Sequence, residues 1–330
     1  MLVVGSGSAD LLAALSLKKK LPSLKVQVVS SSRLGIIGVG EGTVPYVVNF
    51  IHQYLGMDGY RFFNEVDPVY KLGVRFTWGK RDYFDYTFSQ NQWAFQAPDL
   101  QRPSGFFARF GHHGIDLPGA LMEKNKALPT RGAGSPDLPP AGNPVAWHLE
   151  NHSFASWLDQ SCEEAGMEMP EGEIKSVHQD ETGSVSRIEL KDGQSLSADL
   201  FVDASGFRTE LLGKILSEPF DSFHDSLFCD RAMVGGWDCK PGEPILPFTT
   251  SDTMQSGWCW HIDHPHRINR GYVYSSKHIS DEEAEREFRE FCPDLNTTRL
   301  VKFRSGRHQR VWVKNVVAIG NAAGFVERPN

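Results

Sequence analysis

Three hydrophobic runs constrain the fold more than any other feature of the chain. Met1-Leu2-Val3-Val4 runs into Gly5, Asp199-Leu200-Phe201-Val202-Asp203 into Ala204-Ser205-Gly206, and Val316-Val317-Ala318-Ile319 into Gly320-Asn321-Ala322. Short apolar runs that stop at glycine read as strands buried on both faces, as in a parallel sheet. After the first run, residues 11–17 form a mostly apolar helix face. Lys18, Lys19 and Lys20 follow in the last turn, where cations suit the helix dipole. Val26-Gln27-Val28-Val29 is the next strand. Strand, glycine turn, helix and strand in that order begin a doubly wound α/β sheet. Strands far apart in sequence can meet at one carboxyl edge, where such sheets bind ligands.

The first turn reads Gly5-Ser6-Gly7-Ser8-Ala9-Asp10. Glycines here allow a tight turn and let backbone amides approach a pyrophosphate at the helix N-terminus. Two positions depart from the usual dinucleotide pattern. Asp10 stands where a third glycine is usual, and Ser30-Ser31 stand where an acidic residue would hold a ribose hydroxyl. Taken alone, the motif also suits a structural turn with no ligand. The other two junctions, at Gly206 and Gly320, supply small-residue turns against which a flat cofactor can lie.

The remaining chain is ordinary globular text. Its 330 residues are 40% hydrophobic and 23% charged, enough for about two domains. No stretch approaches the roughly 18 apolar residues of a membrane span. A net charge of −7 argues against nucleic acid as the main partner. The five cysteines, an odd number without a CxxC pair, predict buried packing thiols rather than a disulfide framework or zinc site. A reducing cytoplasm is the expected compartment, and residues 1–4 are too short for a secretory signal core. His112-His113 and His148-x3-His152 lack acidic or cysteine companions and read as polar or packing residues, so no metal is expected. Ser205 lies outside any G-x-S-x-G frame, which disfavours a hydrolase.

Coarse elements follow from pattern. Residues 35–45 read as a glycine-dense loop, 47–54 as a helix, 60–115 as an aromatic-rich region, and 117–145 as a proline-rich loop or lid. Helices are expected over 152–165 and over 280–291, the second capped by Ser280 with Glu283 in a capping box. Strands are expected over 174–177, 185–190 and 200–203, with Asp192-Gly193 as a hairpin turn, and over 311–319.

Four segments carry a family likeness: GVGEGTVP at 38–45, DLFVDASGFRTELL at 199–212, SGWCWHID at 256–263 and VVAIGNAAGFVE at 316–327. GYVYSSKHISDEEAEREF at 271–288 and FRSGRHQRVWVKN at 303–315 add to it. The chain resembles flavin-dependent halogenases of the tryptophan-halogenase type over nearly its whole length. The signature GWxWxI stands here as Gly257-Trp258-Cys259-Trp260-His261-Ile262, with Asp263 where the family has proline.

The resemblance implies a doubly wound FAD-binding domain of the glutathione-reductase/hydroxylase-like kind, from residues 1–45, 152–215 and 300–330. It implies an antiparallel-sheet substrate domain from 46–151 and 216–299. FAD would act as FADH2, supplied by a separate flavin reductase. With oxygen it would give a hydroperoxide, and halide, the co-substrate, would take up the oxidising equivalent as hypohalous acid. An electron-rich aromatic, tryptophan- or indole-like or phenolic, would then be halogenated. A flavin monooxygenase without halide use and an inactive flavin-binding fragment stay open as alternatives, as does a homodimer.

The resemblance also implies site residues. Trp258 and Trp260 would keep organic substrate from the flavin, and strand alternation puts them on one face. Glu41 would supply polar atoms at the strap. The tunnel lysine falls by spacing at Arg75 in Tyr70-Lys71-Leu72-Gly73-Val74-Arg75-Phe76; Lys71 and Lys80 are the other candidates. Arginine stays protonated, so it can hydrogen-bond hypohalous acid but is a poor group to form a chloramine. Cofactor contacts are expected at Gly5, Gly7, Ser8, Ala9, Ser30, Gly38, Gly40, Glu41, Gly42, Thr43, Val44, Pro45, Val177, Asp203, Gly206, Gly320, Asn321 and Ala322. The family continues past this point into a Pro-Leu-Glu-Ser-Thr-like turn at the halide. Glu327 is followed here by Arg328-Pro329-Asn330, so that turn and the second catalytic acid are expected to be missing.

Overall fold

The first hydrophobic run forms the strand Leu2–Gly5, in which every residue is buried. It pairs in parallel with Phe201–Ala204 on one side and Gln27–Val29 on the other. Val316–Ala318 pairs in parallel with Phe201–Ala204, so the three glycine junctions lie at the same end of one sheet. These relationships come from a computed structural model that describes residues 1–5, 7–30, 38, 40–88, 116–127 and 145–327. Trp312–Val313 completes the sheet as an antiparallel edge. The single strand expected over 311–319 is therefore a hairpin. Lys314 takes a left-handed conformation (φ 52°), which turns the chain back.

The helix Ser8–Lys20 follows the first strand and packs against the helix Asn151–Glu164. Leu2, Val4, Phe201, Leu211, Leu212 and Val316 share one core beneath the sheet. Burying each such side chain is worth about 2 kcal/mol. Ile174–Gln179, Val185–Leu190 and Ser195–Leu196 form a separate antiparallel sheet. Gly193 (φ 93°) makes the expected hairpin turn between the last two.

The chain divides into two compact units. The first comprises Met1–Gly38, Asn151–Arg231 and Lys302–Arg328; the second contains Val39–Glu150 and Ala232–Val301. Two boundaries differ from the sequence reading. Residues 39–45 go with the second unit because Glu41–Gly42 pairs with Ala146–Leu149. Residues 216–231 go with the first because Phe220–Ser222 pairs with Gly306–His308.

The second unit is built on a seven-stranded sheet. Its order is Thr298–Lys302, Arg231–Asp238, Arg267–Tyr274, Gly257–Asp263, Thr249–Met254, Gly73–Thr77, Phe84–Thr87. Thr249–Met254, Gly257–Asp263 and Arg267–Tyr274 form an antiparallel meander. Thr249–Met254 pairs in parallel with Gly73–Thr77, so this sheet is mixed rather than purely antiparallel. The helix Asp281–Phe291 carries the expected capping box of Ser280 and Glu283 and buries Ala284 and Phe288. A smaller sheet places Ala146–Leu149 between Glu41–Gly42 and Val69–Lys71.

The glycine-dense loop is therefore partly strand, and the helix after it, Pro45–Asn49, widens into a π-type turn at Phe50–Tyr54. The expected proline-rich lid begins as a helix, Leu117–Glu123, capped by Asp116. The stretches 89–115, which holds His112-His113, and 128–144 lie outside the described residues. All five cysteines are free thiols, four of them buried. Among the described residues no helix is long and apolar enough to cross a membrane.

Candidate active site

In the first unit, the carboxyl edge of the parallel sheet opens into a cleft lined by Val4, Gly5, Val29, Ser30, Ser205 and Arg208, with Lys191 at its margin. Gly206 (φ 65°) and Gly320 (φ 56°) occupy conformations that favour glycine. A Cβ on Gly320 would stand 3.2 Å from the Ala9 Cβ, so the third junction lies against the first turn. Asn321 and Ala322 complete that third turn, Ala322 fully buried. Two expected cofactor residues are otherwise employed. Val177 packs against the hydrophobic core. The Asp203 carboxylate is fully buried and accepts from Ser205 N (3.1 Å), Ser205 Oγ (2.6 Å), Leu211 N (2.8 Å) and Leu212 N (2.8 Å). It shapes the turn after its strand.

Asp10 replaces the third glycine and sits under the first turn. Its Oδ1 accepts from Gly7 N at 2.7 Å. The residue is 1% exposed, and Oδ2 has no hydrogen-bond partner among the described residues. Burial pushes its carboxyl up to about 6, against the opposing backbone bonds. A Cβ on Gly5 would stand 2.7 Å from Asp10 Cβ, so glycine is required there for Asp10 to fit. Ser8 lies in the first helical turn, and Gly38 closes the first unit with φ 41°.

In the second unit, the strap is pinned through Thr43. Trp147 N donates to Thr43 Oγ1 (2.8 Å), which donates in turn to Trp147 O (3.0 Å). Thr43 is thereby committed to the backbone of a neighbouring strand. Val44 is exposed and Pro45 begins the next helix. A Cβ on Gly40 (φ 80°) would stand 3.0 Å from His264 Nε2. A Cβ on Gly42 would stand 2.9 Å from Lys71 Nζ and 3.2 Å from Thr249 Oγ1.

Lys71 is fully buried, and Nζ has no hydrogen-bond partner among the described residues. Burial pushes its ammonium down to about 7. His148 lies nearby, with Nε2 against Thr249 Oγ1 (3.0 Å) and Nδ1 against Asp263 O (3.1 Å). Burial, and then the charge of Lys71, hold that ring well below its ordinary pKa. His148 is thus a satisfied buried histidine, and no group of described residues is arranged to hold a metal.

Arg75, the position favoured by spacing, is differently occupied. Its guanidinium makes two bonds to Asp85, at 2.8 and 2.9 Å. It also lies 4.1 Å from the Tyr83 ring centroid and 4.5 Å from that of Phe248. Lys71 and Arg75 do not share a face of one strand. Leu72 breaks the run, its N–H bonding Pro247 O and its carbonyl accepting from Phe88 N. Lys71 pairs with Ala146 in the small sheet, and Arg75 with Asp85 in the large one. Lys80 is exposed.

Sheet register sorts these groups onto two faces. Phe76, Ser251, Trp260 and Gly271 form one cross-strand row, and Arg75, Thr250, His261 and Arg270 the next. Adjacent rows point to opposite faces. Trp258 and Trp260 therefore share a face, with ring centroids 6.1 Å apart, and Arg75 points away from them. Gly271 leaves the space that the Trp260 indole fills across the neighbouring strand. Thr249 and Ile262 belong to the tryptophan face by the same alternation. Both approach the Cβ position of Gly42, beside Lys71 Nζ. The lysine amine thus lies over the same face as the two tryptophans, roughly 7 Å along the strand from the Trp260 row. Asp263 is buried, pairs with His261 and accepts from Leu246 N (2.7 Å).

Comparison with known proteins bears on this arrangement. The family model described as "Tryptophan halogenase" matches residues 1–329. The chain belongs to the tryptophan halogenase family. Tryptophan 7-halogenase RebH of Lentzea aerocolonigenes is 31% identical, over 99% of this chain and 66% of its own. Tryptophan 6-halogenase ThaL of Streptomyces albogriseolus is 32% identical over the same shares. The crystal structure of MibH, a "lathipeptide tryptophan 5-halogenase", superposes with a TM-score of 0.87 at 36% identity, covering 99% of this chain and 62% of that one. The chain spans about two thirds of the length of these relatives.

Spacing puts the family's lysine at Arg75, whereas in the structure Arg75 is bonded to Asp85 and the buried amine is that of Lys71. The signal for Lys71 was a lysine inside a run whose neighbours, Tyr70 and Leu72, are both apolar and both buried.

Proposed function

We propose that this chain catalyses FADH2-dependent halogenation of an electron-rich aromatic, of indole or phenol type, with halide as co-substrate. A separate flavin reductase would deliver the reduced flavin. The observation that carries the reading is Lys71: a buried amine, without a hydrogen-bond partner among the described residues, over the face that bears Trp258 and Trp260. Few structural roles ask for such a group, since burying an amine without a partner costs several kcal/mol.

The first unit would hold FAD. Its cleft suits an adenine nucleotide, because Gly206 and Gly320 leave the carboxyl edge flat where a Cβ on Gly320 would already crowd Ala9. Arg208 and Lys191 line the cleft together with Glu210 and Glu173, with which they pair, so its charged lining is balanced. Gly5, Ser30 and Gly320 are the residues that would touch the nucleotide. When bound, reduced FAD supplies the two-electron activation of oxygen whose oxidising equivalent halide accepts.

The second unit would hold the aromatic substrate. Lys71 has two ways to handle hypohalous acid. As an ammonium it donates a hydrogen bond to the oxygen, which makes the halogen more electrophilic. As a neutral amine it takes the halogen, forming an N–halogen bond while water leaves. Near pH 7 both forms are populated. Trp258 and Trp260 fill part of the sheet face that the amine shares and would keep organic substrate from the flavin, so that halide rather than substrate is oxidised. Arg75 supports the sheet through Asp85 and takes no part in the chemistry.

The test is halogenation itself. Purified chain with FAD, a flavin reductase, a nicotinamide donor, chloride or bromide, and a panel of indoles and phenols should give halogenated product by mass spectrometry. Lys71→Ala should lower product by about a hundredfold or more, within the usual range for loss of a group in the reacting centre. Undiminished product from Lys71→Ala would overturn the reading.

A further inference from the structure

We propose that Asp10 makes flavin binding proton-coupled: its carboxylate holds a backbone donor that a bound pyrophosphate needs, so FAD binds with uptake of one proton at this residue.

The geometry starts from the helix Ser8–Lys20, whose N-terminus lies at the carboxyl edge of the parallel sheet. Helix N-termini bind phosphate because their first N–H groups are unbonded and the dipole favours negative charge. In this chain the Gly7 N–H is already donated to Asp10 Oδ1, at 2.7 Å. The carboxylate is an anion belonging to the chain itself, buried beneath the turn and holding from inside the amide that a pyrophosphate would use from outside. Its second oxygen is buried and has no partner among the described residues. Asp10 thus caps its own helix with one oxygen, and the second, buried without a partner among the described residues, leaves a charge that the surrounding fold does not satisfy.

The neighbours reinforce the charge rather than neutralise it. Asp159, on the packed helix Asn151–Glu164, adds a like charge. Cys162 on that helix stays a neutral thiol, pushed up to about 12 by burial. Leu2–Gly5, Gln27–Val29 and the Gly320–Ala322 turn contribute no titratable side chain. Asp203, on Phe201–Ala204, is engaged by four donors of its own turn. With the carboxyl already pushed up to about 6, a pyrophosphate carrying two further negative charges moves its proton affinity higher still. Once protonated, Asp10 no longer repels the ligand and accepts more weakly from Gly7 N, which is then free to turn to the pyrophosphate.

Linkage fixes the sign. The free protein loses the Asp10 proton above about pH 6 and the complex retains it, so affinity falls as pH rises. One proton gives a slope of up to about tenfold in Kd per pH unit.

The inference rests on the FAD reading above. FAD and, separately, ADP are titrated by fluorescence and calorimetry between about pH 5.5 and pH 8.5, with the chain as it stands and with Asp10→Asn. Asparagine keeps the shape, carries no charge and, like the protonated carboxyl, is a weaker acceptor than the carboxylate, so it releases the Gly7 N–H more readily. The chain is expected to weaken at least about tenfold between pH 6 and pH 8 for both probes, with close to one proton taken up near pH 7.5 when buffers of different ionisation enthalpy are compared. Asp10→Asn is expected to bind more tightly at pH 8, with a flat profile and no proton uptake. Equal slopes in the two proteins, or a flat profile in the unsubstituted chain, overturn the inference and leave the FAD reading standing. No FAD binding by either protein at any pH overturns both. Should Asp10→Asn fail to fold, the proton count on the unsubstituted chain decides alone.

Discussion

Lys71 Nζ lies 2.9 Å from the point where a Cβ on Gly42 would stand. The two residues come from different strands, Val69–Lys71 and Glu41–Gly42, and meet across Ala146–Leu149 between them. A glycine in the strap thereby makes room for an amine that has no hydrogen-bond partner among the described residues and lies 5.5 Å from the Phe88 ring centroid. Gly42→Ala should displace the amine or the strap and lower halogenation by about tenfold or more. It should cost about 1–3 kcal/mol, as overpacking generally does. Product yield and urea unfolding measure the two effects.

Replacing the amine by an apolar group should separate function from stability. Lys71→Met should abolish halogenation and stabilise the fold by about 1–3 kcal/mol, because it removes an unpartnered buried cation. The lysine's folded pKa, about 7, lies below the roughly 10.4 of an unfolded chain. The unfolded state therefore binds more protons between those values, and the lysine's destabilising contribution is relieved as pH rises through that window. Unfolding midpoints of the unsubstituted chain should gain on those of Lys71→Met from about pH 7 upward; parallel profiles would contradict this.

Arg75 should behave as a structural residue. Arg75→Lys should bring no gain in halogenation, since the position faces away from the tryptophans. Arg75→Ala leaves Asp85, whose side chain is only 8% exposed, without its bidentate partner. Losing one partner of a largely buried pair costs about 3 kcal/mol in stability. Denaturant titration of the variant, compared with its residual halogenation per folded molecule, checks both statements.

Gly271→Ala tests the tryptophan face from behind. A Cβ there falls within the Trp260 ring, so the indole must leave its rotamer or the strands must part. Tryptophan emission should shift, and stability should fall by about 1–3 kcal/mol. An unchanged emission spectrum with full stability would contradict the packing described.

Acid should weaken the second unit through its neutral histidines. His264 is pushed down to about 4 by burial, and neither ring nitrogen has a partner among the described residues. Its folded pKa lies below the unfolded value near 6.5, so its stabilising contribution is present above that value and is lost as pH falls through about 4. His264→Gln should flatten the acid limb of the stability profile between those limits.

The contrast between Asp203 and Lys71 shows what sequence can convey. The three junctions were legible because a buried parallel strand must be apolar throughout and must end where backbone needs freedom, which residues near 5, 206 and 320 state locally. The tryptophan pair was legible because a two-residue period decides a face. The burial of Lys71 was not legible, because spacing alone favoured Arg75 and does not show that the chain changes sheet between the two. The break at Leu72 is made by Pro247 and Phe88, which no local pattern connects to it. Asp203 and Thr43 looked like ligand contacts because both are polar groups at glycine-rich turns. In the structure their side chains are engaged within the fold, Asp203 by Ser205 and two backbone amides of its own turn and Thr43 by the backbone of a strand about a hundred residues away. Residues 39–45 changed unit for the same reason: strand pairing is non-local, and sequence spacing does not record it.

The parallel pairing of Leu2–Gly5 with Phe201–Ala204, and of that strand with Val316–Ala318, has a consequence for how the molecule comes into being. On a ribosome adding about 5–20 residues per second, the first strand waits roughly 10–40 s for its inner neighbour and longer for the next. Until then its apolar edge is open to unrelated chains. Long-range pairing of this kind also slows spontaneous folding. Yield from a heterologous host should therefore depend on growth temperature and chaperone supply more than on the thermodynamic stability of the finished protein.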